Sequence, residues 1–134
     1  MKLIIAIVRP EKFRDVRQAM LKADVGMMTV LDVRGCGQQK GYVEEYRGVI
    51  EEVTLHRKVA VLVAVNDSFV DKTIKTIVRS ARTNTKGSIG DGKIFVLPLE
   101  ECVRISGGEM GVAAIGGNSE EVRSLKKKTF ISIK

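Results

Sequence analysis

The sequence predicts an α+β fold in which a strand, helix, strand unit occurs twice. The product is one four-stranded sheet with both helices on one face, the ferredoxin-like split arrangement. Three observations lead there: two short runs that are apolar on every residue, two amphipathic segments at helical spacing, and a second half that repeats the element order of the first. A chain of 134 residues suits one domain with a proper core.

Residues 3–8 (Leu-Ile-Ile-Ala-Ile-Val) form a continuous apolar run ended by Arg9-Pro10, as expected of a strand buried on both faces. Pro10 and Glu11 open a helix, with Phe13, Val16, Met20 and Ala23 on its apolar stripe and Gly26 as its stop. Residues 28–34 alternate and read as the second strand. The third spans 58–65, with Val59, Val61, Val63 and Val65 on one side and Ala60, Leu62 and Ala64 on the other. Asn66-Asp67-Ser68 offers cap residues, and Val70, Ile74, Ile77, Val78 and Ala81 recur at helical spacing. A Gly-rich loop over 86–92 leads to the fourth strand, 93–97. Because two strands are apolar on both sides, the helix-free face needs a cover, most simply the sheets of sister subunits, so a homo-oligomer is expected.

The composition, 44% hydrophobic and 29% charged, is that of a soluble globular protein. No apolar run approaches membrane-spanning length, and Met1 leads into a strand without a signal-peptide layout, so a cytoplasmic location without membrane insertion is expected. A net charge of +7 favours anionic ligands or acidic partners. Cys36 and Cys102 are far apart and lack metal-ligand spacing, which fits a reducing compartment. Residues 1–115 read as the domain and 116–134 as a basic C-terminal extension.

The functional stretch is the long connection between the second and third strands, entered by Gly35, Gly37 and Gly41. A connection of this length in a compact domain is usually functional or disordered, and glycine backbone can turn its N–H groups onto an anion. Gly90, Gly92, Lys93 and Arg104 add donors and positive charge suited to a polyphosphate, and Lys58 can pair with a carboxylate. Taken alone, Gly90-Asp91-Gly92 reads better as a turn into a strand, and Cys36 as a small residue in a tight turn rather than a reactive thiol; with Gly35, Gly37 and Arg104 added, the glycines read as a site.

In order, Gly37-Gln38-Gln39-Lys40-Gly41, Tyr46-Arg47-Gly48, Lys58, Arg79-Ser80-Ala81, Gly90-Asp91-Gly92-Lys93-Ile94-Phe95-Val96 and Arg104-Ile105 resemble the PII nitrogen-regulatory signalling family over residues 1–115. The resemblance implies a non-enzymatic homotrimer that binds ATP or ADP in clefts between subunits, at Thr29, Gly35, Cys36, Gly37, Gln38, Gly90, Asp91, Gly92, Lys93 and Arg104. It implies 2-oxoglutarate at Gln39, Lys40, Gly41 and Lys58, with Mg²⁺ held by ATP, 2-oxoglutarate and Gln39. Through the loop 38–57 such a protein controls an ammonium transporter or an enzyme of nitrogen assimilation or fixation. The alternative is a divergent PII-like regulator of another transporter or enzyme, responding to ADP or AMP with little 2-oxoglutarate sensing.

Several positions depart from the family pattern. Gln38 and Ser106 stand where Arg is usual, so discrimination in favour of the γ-phosphate should be weak, and Leu62 replaces a common acid. Glu51 occupies the place of the tyrosine that many bacterial members modify. Two other classes fare worse. A hydrolase would need a base with its orienting partners, and the one histidine, His56, has none within the sequence pattern. A nucleic-acid platform would need stacked aromatics, which total only 4% of residues.

Overall fold

In the computed structural model, residues 1–37 and 55–115 are described. The order is strand β1 (Lys2–Val8), helix α1 (Phe13–Lys22), strands β2 (Thr29–Gly35) and β3 (His56–Val65), helix α2 (Val70–Ala81), strand β4 (Gly92–Pro98) and the short helix α3 (Val112–Ile115). The sheet is antiparallel throughout, in the order β2-β3-β1-β4. This α+β arrangement is the one the repeated unit predicts.

Register assigns the faces, because residues directly opposite on antiparallel strands share a side. Ile4, Ala6 and Val8 lie opposite Val63, Val61 and Val59, and all six are buried beneath the helices. Val16 and Met20 from α1 and Ile77 and Ala81 from α2 close that core. Thr73 is wholly buried among them; its hydroxyl donates to the Phe69 carbonyl at 2.7 Å, which satisfies the one polar atom its side chain brings. The other face carries Leu3, Ile5, Ile7, Ala60, Leu62, Ala64, Leu31, Phe95 and Leu97. Phe95 is 46% exposed and Leu31 49%, so within one chain this apolar face is open.

Local detail departs from the sequence expectation at three helix ends. The chain enters α1 and α2 through single 3-10 turns, Pro10–Lys12 and Asp67–Phe69, and no side chain caps either helix. Asp67, an expected cap, instead pairs with the Met1 amino group at 3.1 Å. Helix α1 stops at Lys22, before Gly26, with Asp24 in the left-handed region at φ 61°. A Cβ at Gly26 would lie 2.6 Å from the Leu21 side-chain end, a contact that the half-exposed Leu21 can relieve by moving.

Candidate functional site

At the end of the sheet where β2 stops and β4 begins, a groove of about 570 Å³ opens on the helix-free side. Gly35, Cys36 and Gly37 form one wall and the loop 88–93 the other, with His56, Lys58 and Ile7 as the floor. Of the predicted nucleotide set, the groove brings together Gly35, Cys36, Gly37, Gly90, Asp91, Gly92 and Lys93, and it adds Lys58 from the predicted acid-binding set. Gln38, Gln39, Lys40 and Gly41, most of the loop 38–57, and the extension 116–134 lie outside the described residues.

The glycines serve two purposes. Gly92 is required by the fold, since its φ is +113° and a Cβ would sit 1.7 Å from the Ile7 carbonyl oxygen. Gly35 and Gly37 are different, because a Cβ at either would meet nothing within 4 Å. The fold therefore does not demand glycine at either position, and the space beside them opens into the groove.

The opposite wall is held from inside. Arg9, at the end of β1, donates from Nε to Asp91 Oδ1 at 3.1 Å and from Nη2 to the Ile89 carbonyl at 2.7 Å. Asp91 Oδ2 accepts the backbone N–H groups of Ser88 at 2.8 Å and Thr83 at 3.3 Å. Burial alone would raise the Asp91 pKa, but the N–H of Ser88, the Arg9 guanidinium and the N–H and hydroxyl of Thr83 outweigh it and bring it to about 2. Asp91 is therefore an anion committed to the loop's own geometry. Its role in a ligand site is to fix the backbone of 88–92.

Lys58 reaches the same loop from β3, donating from Nζ to the Gly90 carbonyl at 2.6 Å. Burial and then the repulsion of nearby Arg9 lower its pKa. The carboxylates of Glu11 and Asp91 pull the other way, but less strongly. The Lys93 ammonium lies 5.5 Å from the centre of the Phe95 ring, so its stem borders the groove while its charge lies along the open sheet face.

Two predicted nucleotide residues are elsewhere. Thr29 begins β2, opposite Leu62, six residues from Gly35 and so ~20 Å along the strand. Arg104 donates from Nη2 to the Ala114 carbonyl at 3.1 Å. Through α3 it belongs to the same distant end, where Ile115 borders a second hollow of about 390 Å³ with Met27, Val63 and Val65. Within one chain the predicted residues thus form two groups at opposite ends of the sheet. Arg9 and His56 were not among the predicted site residues; the signal for His56 was available, since it shares the period-2 face of Lys58.

Among the described residues no three of His, Cys, Asp and Glu gather as a metal centre, and no helix is long and apolar enough to cross a membrane. Cys36 and Cys102 are both free thiols.

The family model for "Nitrogen regulatory protein P-II" matches residues 1–109. The chain is 47% identical over 115 residues to "Nitrogen regulatory protein P-II 2" of Methanothermobacter thermautotrophicus, covering 86% of this chain and 97% of that protein. It is 44% identical to "Nitrogen regulatory protein GlnK1" of Methanosarcina mazei, with the same coverage of both chains. To "Nitrogen regulatory protein P-II 1" of Escherichia coli it is 45% identical, over 86% of this chain and the whole of that one. With a sheet and helices of the expected order, and matches that run through both walls of the groove, this chain belongs to the nitrogen regulatory protein P-II family.

Proposed function

We propose that the protein is a non-enzymatic regulator that senses an adenine nucleotide and 2-oxoglutarate and passes the state of its loop 38–57 to a target of nitrogen metabolism. The observation that carries the reading is the division of the predicted site. Gly35, Gly37 and 88–93 stand at one end of the sheet, and Thr29 and Arg104 at the other. A nucleotide can meet both groups only if the ends of two neighbouring chains come together. The open apolar face supplies a reason for such neighbours, because residues such as Phe95, Leu97 and Leu31 would be covered by the sheets of sister chains in a homotrimer.

In this assembly the diphosphate lies along the backbone of 35–37 and 90–92, with Lys93 of one chain and Arg104 of the next as cations. Arg104 spends one of its five donors on Ala114 and keeps others for a phosphate. The acid is held at the loop base by Lys58 with Gln39, Lys40 and Gly41. Asp91 is committed to Arg9, Ser88 and Thr83, so Mg²⁺ would take its ligands from the phosphates, the acid and Gln39. Mg²⁺ suits that division, since it is usually bound through substrate phosphates with few protein ligands. The target, on this reading, is an ammonium transporter or an enzyme of nitrogen assimilation or fixation.

Calorimetry with ATP, ADP and AMP, each with Mg²⁺ and with or without 2-oxoglutarate, tests the reading alongside sedimentation equilibrium. The expected result is a trimer with one nucleotide per subunit and an acid site that requires ATP and Mg²⁺. A well-folded monomer that still binds nucleotide would overturn the shared-site argument, and no binding of any adenine nucleotide would overturn the function.

A further inference from the structure

The two edges of the sheet are not alike. β2 carries Asp32 and Arg34, charges of the kind that keep an edge strand from pairing with another, whereas residues 94–97 of β4 are Ile-Phe-Val-Leu. No described strand lies beyond β4, and the helix layer also stops short of its edge. Val96 lies opposite Ile4 and so on the helix side, yet it is 43% exposed where Ile4 is fully buried. Between α2 and the first half of β4 is a hollow of about 280 Å³, bordered by Ile74, Val78 and Ile94.

One segment of this chain has the point of departure, the length and the pattern to fill that edge. The described residues stop at Ile115, which borders the hollow of Val63 and Val65. Val65 pairs with Lys2 and Lys2 with Pro98, so the chain leaves from the end of the sheet where β4 finishes, two strand spacings or ~10 Å from Val65. The thirteen residues 116–128, wholly beyond the family match, can span up to ~45 Å. A segment that then follows β4 from Pro98 towards Gly92 runs antiparallel to it. Residues 129–133, Thr-Phe-Ile-Ser-Ile, are β-branched or aromatic at every position but one.

We propose that residues 129–133 dock on the outer edge of β4 of their own chain as a fifth, antiparallel strand. One register satisfies side chains and charges together. With Thr129 opposite Pro98, Ile131 meets Val96 and Ile133 meets Ile94 on the helix side, where they close the hollow beneath α2. Phe130 meets Leu97 on the open apolar face. Lys127 and Lys126 then come opposite Glu100 and Glu101, both exposed just after β4. A slip of one residue would turn Ile131 and Ile133 away from the hollow.

Hydrogen exchange read by mass spectrometry on the full-length protein tests the strand, with Ile131→Pro as the variant that removes an N–H from its middle. The expected result is protection of both 92–98 and 129–133 in wild type. In Ile131→Pro both segments should exchange about tenfold faster or more, with 59–65 unchanged. Carbodiimide cross-linking of wild type supplies a second reading. Light and ¹⁵N-labelled chains are unfolded and refolded together, and Lys126 or Lys127 should join Glu100 or Glu101 only within chains of one label. Fast exchange of 129–133 in wild type overturns the docking, as does protection of 92–98 that survives Ile131→Pro, which means that a sister chain covers the edge. Cross-links between light and heavy chains place the segment on a sister and overturn it too. Faster exchange of 59–65 in Ile131→Pro gives the segment a part in the whole core, which is also against a separate edge strand.

Discussion

Replacing Asp91 by Asn tests whether the groove wall is held by the charge of one carboxylate. The fall of its pKa from 3.8 to about 2 means that the fold favours the anion over the neutral acid by ~2.5 kcal/mol, at about 1.36 kcal/mol per tenfold. The Asp91 side chain is only 15% exposed and its partner Arg9 18%, so screening removes little of this, and a loss of ~2 kcal/mol is expected at neutral pH. The Asn oxygen can still accept from Ser88 and Thr83, but its amide opposes the Arg9 guanidinium donor to donor. The sign with pH is fixed as well: for a carboxyl whose folded pKa is depressed, the stabilisation is complete above 3.8 and is lost as pH falls towards 2. Denaturant unfolding at one fixed protein concentration should therefore show a gap between wild type and Asp91→Asn at pH 7 that narrows from pH 4 to pH 2. Superimposable curves at pH 7, or an equal acid slope in both proteins, would refute the clamp.

Three further outcomes follow from the geometry. Phe95→Asp places a charge on the open sheet face and should abolish the proposed trimer in sedimentation; a trimer equal to that of wild type would mean that the face is covered in some other way. Gly35→Ala should leave the melting temperature unchanged and weaken nucleotide binding in calorimetry, whereas Gly92→Ala, which combines φ +113° with a Cβ 1.7 Å from a carbonyl oxygen, should cost more than ~3 kcal/mol in denaturant unfolding. Gln38→Arg combined with Ser106→Arg should raise the ATP over ADP preference about tenfold or more in competition binding, and an unchanged ratio would show that these two positions do not set it.

The fold was legible because its signals are local. An all-apolar run such as residues 3–8 has few alternatives to a doubly covered strand, and amphipathic spacing places Val16, Met20, Ile77 and Ala81 in the core. What escaped is set by partners distant in sequence. β3 begins at His56 instead of residue 58 because Gly35 and Arg34 pair with His56 and Arg57, and polar residues at a strand end give no hydrophobic signal. Asp67 has the chemistry of a cap, yet the Met1 amino group claims it. Thr73 looks exposed by type and is buried because a single backbone acceptor satisfies its hydroxyl.

The site divides in the same manner. Glycines at 35, 37, 90 and 92 with Lys58 and Lys93 marked a candidate anion site in the sequence, and the groove brings these residues together. The residues that shape it are quieter. Arg9 precedes Pro10 and reads as the end of a strand; only the closing of the sheet brings it against Asp91, 82 residues away. Asp91, read as a ligand contact, turns its carboxylate inward, because two N–H groups and a guanidinium already meet there. Lys58 ties that wall to β3 through the Gly90 carbonyl, so an acid drawing on the Lys58 ammonium and a phosphate resting on 90–92 would act on one short loop. Were both ligands of the proposed function bound there, their coupling would need no long path through the protein, since each would change the hydrogen bonds available to the other.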